Sequence, residues 1–212
     1  MHVRLHACAL GCSALLMLGI GCAQSNKPST LATSGAPAIK PEDAKLLAIN
    51  LVSPKSSKPI VISSSAFKAG GEIPYTFSDY GDRISPPLNW TGVPGGAKSL
   101  VLLMEDPDAA MPKPFIHWVM FNVPPSMTSL RQAIPGQMQL VEFDNIPQGL
   151  NSRGAIGYMG PRPPYADAAH HYHFQIFALD KRLDLPAGAD RTSVLNAMKG
   201  HVLAAGELVG KY

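Results

Sequence analysis

The sequence predicts a mostly β domain, a sandwich of antiparallel sheets with a helix near the C-terminus. Three observations carry that expectation. Apolar runs of strand length recur from about Ile60 onward, clusters of Pro and Gly separate them, and no alternating strand–helix rhythm of a parallel sheet appears.

Ile60–Ser64 opens the domain with β-branched residues, and Ser99–Glu105 (SLVLLME) is a continuous apolar run suited to a buried strand. Phe115–Val123 (FIHWVMFNV) and Tyr172–Asp180 (YHFQIFALD) are aromatic-rich and end in turn residues. The loops between them are dense in proline, as in Ser85-Pro86-Pro87, Val93-Pro94-Gly95-Gly96, Val123-Pro124-Pro125 and Gly160-Pro161-Arg162-Pro163-Pro164. Thr192–Ala205 places Val194, Leu195, Met198 and Val202 at helical spacing, with Gly206 positioned to stop the helix. Glu207–Tyr212 then returns as a short strand. An apolar fraction of 46 % in 212 residues supplies the core of one domain.

The N-terminus reads as an address. Ala7–Ile20 is apolar and small after a short stretch holding Arg4, too short for a ~20-residue membrane span and suited to a secretory signal. Leu18-Gly19-Ile20-Gly21-Cys22 resembles the lipobox of bacterial lipoproteins, which implies lipidation of Cys22 and a protein held at the cell envelope, facing the periplasm. Leu18 stands one place further from the cysteine than that pattern favours; the alternative is a plain signal peptide that leaves a soluble periplasmic protein. The expected organisation is a signal peptide over 1–21, a flexible tether over 22–58 with a short helix within Pro41–Leu51, and the folded domain over 59–212. Cys8, Cys12 and Cys22 are the three cysteines, so the domain holds no disulfide, thiolate metal site or cysteine nucleophile. Residues 1–58 carry six basic and two acidic side chains, and the remaining 154 carry 12 and 13. A domain with that balance has no general field for a polyanion, which disfavours nucleic acid as a partner.

Three segments have residues fit for chemistry. Glu105-Asp106-Pro107-Asp108 follows a strand, where Pro107 fixes the backbone and the aspartates serve either a local turn or a site. His117 lies inside an apolar strand, on one face with Phe115, Val119 and Phe121 if alternation is strict, and reads either as a core residue or as a site residue. Gly160–Phe174 (GPRPPYADAAHHYHF) holds three of the seven histidines. Its prolines stiffen a wall, Gly160 permits close approach of a ligand to the backbone, and His170, Tyr172 and Phe174 share one strand face.

The order of these segments, together with Ser85-Pro86-Pro87-Leu88-Asn89-Trp90, His117-Trp118-Val119, Gly157-Tyr158, Ala178-Leu179-Asp180 and Gly200–Ala204, resembles the phosphatidylethanolamine-binding protein family. The likeness is to its bacterial branch, related to the Raf kinase inhibitor-like proteins. It implies a sandwich with a small anion pocket built from Asp106, Asp108, His117, Gly160, Pro163, His170 and Tyr172, binding a phosphate-bearing or carboxylate ligand without a cofactor. Imidazole N–H groups, the Tyr172 hydroxyl and loop amides would donate to a phosphate, while the aspartates hold the histidines in a donating state or accept from a ligand ammonium. Two departures stand out. Ala110 replaces a usual proline, and His171 replaces a usual arginine, so that affinity is expected to rise as pH falls toward about 6.5 if His171 supplies the missing charge. Arg162 is placed to lend a charge at the rim. The resemblance also implies a possible partner protein in the envelope and a homodimer. No G-x-S-x-G, Walker loop or H-E-x-x-H is present, so an enzyme would have to be a hydrolase using the Asp/His cluster with a metal or as an acid/base pair.

Overall fold

The longest apolar run of the domain becomes the middle of its main sheet. Residues 44–212 are described by a computed structural model; the expected signal peptide, Cys22 and the tether up to residue 43 lie outside the described residues. In chain order the elements are α1 (Ala48–Leu51), β1 (Val61–Ser63), β2 (Leu88–Thr91), β3 (Ser99–Asp106), β4 (Phe115–Val123), β5 (Ser129–Leu130), β6 (Gln139–Leu140), β7 (Ile146–Pro147), β8 (Gly149–Leu150), β9 (His171–Leu179), β10 (Gly188–Asp190), α2 (Arg191–Met198) and β11 (Val202–Lys211). The main sheet has the order β11-β9-β3-β4 and is antiparallel throughout. Every residue of β3 is buried, because it has a strand on either side and a packed layer on each face.

Alternation along the strands divides the core in two. Leu100, Leu102, Met104, Tyr172, Phe174 and Ile176 face the small β1-β2-β5 sheet and meet Ile62, Leu88 and Trp90. Val101, Leu103, Phe177 and Leu179 point the other way, to Val194, Leu195 and Met198 of α2. Burial of such side chains is worth about 1.5–3 kcal/mol each, so stability depends on both layers. The expected β-sandwich with a C-terminal helix is the architecture found.

Strict alternation fails on β4. Glu105 lies opposite Ile116 and Met104 opposite Trp118, so His117 is the extra residue of a β-bulge. Ile116, Val119 and Phe121 consequently face the helix layer, and Trp118 and Met120 the sheet layer. The expectation that His117 shares a face with Val119 and Phe121 is therefore corrected: the bulge turns its ring to within 5.1 Å of the Tyr172 ring, on the opposite side of the sheet.

The helix is shorter than its sequence pattern. It ends at Met198, Gly200 adopts φ +78°, and Val202–Lys211 pairs along the length of β9. Val202 fits helical and strand periods alike, and the positive φ of Gly200 together with sheet pairing decides between them. At its other end the Asp190 carboxylate accepts from the Ser193 amide at 2.8 Å. Asp190→Ala is expected to cost about 1 kcal/mol through loss of this cap. A urea denaturation midpoint that does not move would remove the cap from the account.

The tether expectation is corrected over residues 46–58. Leu47 and Ala48 are buried, the Ala48 amide donates to Glu105 Oε2 at 2.7 Å, and the Ile49 amide donates to Gln175 Oε1 at 2.7 Å. Arg191 donates to the Leu46 carbonyl at 2.6 Å, and the amides of Lys55 and Ser56 donate to the carbonyls of Val202 and Leu203. This strap belongs to the folded unit because its few apolar residues and its backbone both find partners on the helix side of the sheet.

Candidate ligand cavity

Even positions of β3 and β9 face the sheet layer, which brings Asp106, His170 and Tyr172 to the same end of the sandwich. The bulge adds His117, and the Phe115 ring packs tilted against it with centroids 4.8 Å apart. Together with Pro163 these side chains line a cavity of about 130 Å³, small beside the roughly 300–1,000 Å³ typical of drug-sized ligands.

Asp106 resolves the two readings of the Asp-Pro-Asp segment by using each oxygen differently. Oδ1 accepts from the Asp108 and Ala109 amides at 2.8 and 3.2 Å, which closes the turn. Oδ2 lies 2.8 Å from His170 Nδ1, so that nitrogen carries the proton and donates. His170 Nε2 then faces the cavity side, 3.7 Å from the Asp167 carboxylate. Burial opposes a charge on His170, but the Asp106 hydrogen bond and the charges of Asp106, Asp108 and Asp167 outweigh it and raise its pKa above the ordinary 6.5.

His117 behaves in the opposite way. Its Nδ1 is 2.9 Å from the Met159 carbonyl and must donate there, leaving Nε2 toward Asp106 at 4.0 Å. Burial lowers its pKa despite the Asp106 charge. A neutral His117 therefore presents an acceptor, and the expectation that both imidazoles donate is corrected for this one. The Tyr172 hydroxyl is buried and has no hydrogen-bond partner in the structure. Burial and the Asp106 charge push its ionisation well above the ordinary phenol value; the Arg162 backbone amide, which approaches the oxygen outside hydrogen-bonding geometry, offsets only part, so the hydroxyl remains a neutral donor without an acceptor.

Two sequence candidates lie outside the cavity lining. Asp108 Oδ2 accepts from the His171 amide and lies 2.7 Å from its Nδ1, pinning the start of β9 to the end of β3. A neutral imidazole protonated at Nδ1 satisfies this contact, so His171 need not be charged to brace the aspartate. Gly160 likewise stands outside the lining, packed against the 77–79 backbone. A Cβ there would sit 2.5 Å from the Asp79 nitrogen and 2.7 Å from the Phe77 carbonyl, so its smallness serves backbone packing.

The lining also contains residues not singled out in the sequence. Ala109, Ala110, Phe115 and Met159 give apolar wall, while Arg153, Pro164 and Asp167 surround the mouth. Arg162, expected at the rim, lines the cavity, held by Asp79 at 3.2 Å and lying over the Tyr80 ring at 5.5 Å. Phe115 carried a signal, being two residues from His117 across the bulge; Arg153 carried none, since its approach depends on how the 151–155 turn folds. Among the described residues no three His, Cys, Asp or Glu side chains are grouped to hold a metal ion.

Residues 63–212 match the family model described as phosphatidylethanolamine-binding protein, which covers more than half of the chain. The chain belongs to the phosphatidylethanolamine-binding protein (PEBP) family. It is similar to a UPF0098 protein of Methanothermobacter thermautotrophicus, 46 % identical over 151 residues, which are 71 % of this chain and 97 % of that one. Among solved structures, a PEBP homologue from Chlamydia trachomatis is 39 % identical with a TM-score of 0.64, covering 74 % of this chain and 98 % of its own. Escherichia coli YbcL, described as a member of the mammalian PEBP family, is 28 % identical with a TM-score of 0.63, covering 73 % and 98 %. These PEBP relatives match along almost their whole length, so each consists of little more than this domain.

Proposed function

We propose that this PEBP-family chain is a non-catalytic binding protein of the bacterial envelope whose cavity takes the phosphate of a small ligand. The observation that carries this reading is the Tyr172 hydroxyl, buried without a partner beside a histidine that Asp106 holds toward its charged form. An unsatisfied buried donor costs about 1–3 kcal/mol, and a ligand oxygen in the cavity would recover it. A charged His170 and Arg153 add positive potential, and a tetrahedral oxyanion can accept from donors converging at different angles. Export and lipidation at Cys22 rest on the sequence of residues 1–22 and place the domain where lipid head groups and small phosphorylated solutes are both at hand.

Calorimetric titration of the full chain with inorganic phosphate, phosphoethanolamine, phosphoserine and acetate tests the proposal. Saturable binding of the phosphorylated compounds, tighter than that of acetate, is the expected result. The pH arm uses glycerophosphoethanolamine, a diester whose phosphate charge is constant near neutrality, so that only the protein titrates. The folded pKa of His170 is raised, so its charge is retained above 6.5 and lost as pH rises through the folded value. Affinity for the diester should therefore be several-fold higher at about pH 6 than at about pH 8. Absence of binding by every phosphorylated compound, or affinity that climbs with pH, would sink the reading.

A further inference from the structure

We infer that the open groove beside the cavity is a cation subsite for the trimethylammonium group of a ligand whose phosphate lies in the cavity. The inference rests on the phosphate reading above and names the other half of the ligand.

The groove, about 220 Å³, is lined by the rings of Tyr80, Tyr165 and Tyr212, and it shares Pro163, Pro164 and Asp167 with the cavity. Asp167 is the one charged side chain among the residues lining it. Tyrosine faces carry negative potential, so rings and carboxylate together favour a positively charged occupant. Tyr80 already demonstrates the preference, because the Arg162 guanidinium lies over its ring at 5.5 Å. Tyr165 stacks on Tyr80 with centroids 4.8 Å apart yet remains 90 % exposed, so it has a supported ring with surface open to a ligand.

The chemistry of the lining selects among cations. A primary ammonium is best held where three acceptors converge on it, whereas the one side-chain carboxylate here is set among tyrosine rings and prolines, and the Tyr80 hydroxyl is already committed to Pro163 O at 2.8 Å. A quaternary ammonium needs no acceptors and gains from contact of its methyls with aromatic faces. Placement selects the span. Asp167 stands at the boundary, 3.7 Å from His170 Nε2, so the anion-attracting and cation-attracting groups are neighbours. A zwitterion with phosphate and nitrogen separated by a two-carbon bridge matches that spacing; phosphocholine is the simplest example.

The test compares phosphocholine with ethyl phosphate, which has the same phosphate and no cation, on the full chain at one pH. Phosphocholine is expected to bind about two- to fivefold tighter, the size of an exposed cation–π contact. Tyr165→Ala and Asp167→Asn should each collapse that ratio toward one. Both residues are exposed at the mouth, so the fold tolerates either change. Glycerophosphocholine and a short-chain phosphatidylcholine below its micelle concentration distinguish a free solute from a lipid head group; a Tyr165-dependent advantage with either supports the subsite. If ethyl phosphate binds and phosphocholine binds no better, or keeps its advantage in both variants, the cation subsite is overturned and the phosphate cavity stands. If neither binds, the phosphate reading fails as well.

Discussion

Arg191→Ala is expected to lower folding stability by about 3–5 kcal/mol, the range found when one partner of a buried ion pair is removed. Glu105 is entirely buried on the helix side of β3. Its Oε1 accepts from Arg191 Nε at 2.8 Å, and its Oε2 accepts from the Ala48 amide and Gln175 Nε2 at 2.7 and 2.8 Å. Without Arg191 the carboxylate keeps two neutral donors and no countercharge, and the Leu46 carbonyl loses its donor too. The strap over residues 46–49 should then detach more readily, so limited proteolysis within it should quicken along with the fall in the urea midpoint. Glu105→Gln in the same background should recover part of the loss, since the stranded charge leaves with its partner. A stability change below about 1 kcal/mol for Arg191→Ala would mean that water reaches the pair and that it acts as a surface ion pair.

This network marks where reading the sequence stops. The buried strands were legible because apolar runs of strand length are bounded by turn residues, and the shared face of His170 and Tyr172 followed from alternation alone. A carboxylate inside the run Ser99–Glu105 was a visible oddity, but its donors come from residues 57, 70 and 86 positions away, and only the fold brings them together. The strap was illegible for the same reason. The bulge was hidden more deeply. A period of two assigns faces correctly until an extra residue enters, and nothing in Phe115–Val123 announces that His117 is that residue. Gly160 illustrates a different limit: sequence shows that a side chain is absent, and only structure shows whether a ligand or another backbone uses the space.

His170→Ala should weaken phosphate binding by about 10- to 150-fold, the loss of one charge-assisted hydrogen bond of about 1.5–3 kcal/mol, measured by calorimetry. That variant also removes the donor to Asp106 Oδ2, so a fall in folding stability accompanies it and reduced binding alone does not separate the roles. Tyr172→Phe does separate them. The buried hydroxyl donates to no acceptor, and the Arg162 amide approaches it only outside hydrogen-bonding geometry, so its removal takes little from the unliganded fold and relieves a desolvated polar atom. Folding stability should stay level or rise by about 1 kcal/mol while phosphate affinity drops about tenfold. Opposed signs in the two measurements are what a ligand-directed donor requires, because a hydroxyl that served the fold would lower stability when removed. If Tyr172→Phe leaves binding intact, the cavity does not use this buried donor, and the phosphate must be sought at Arg153 and Arg162.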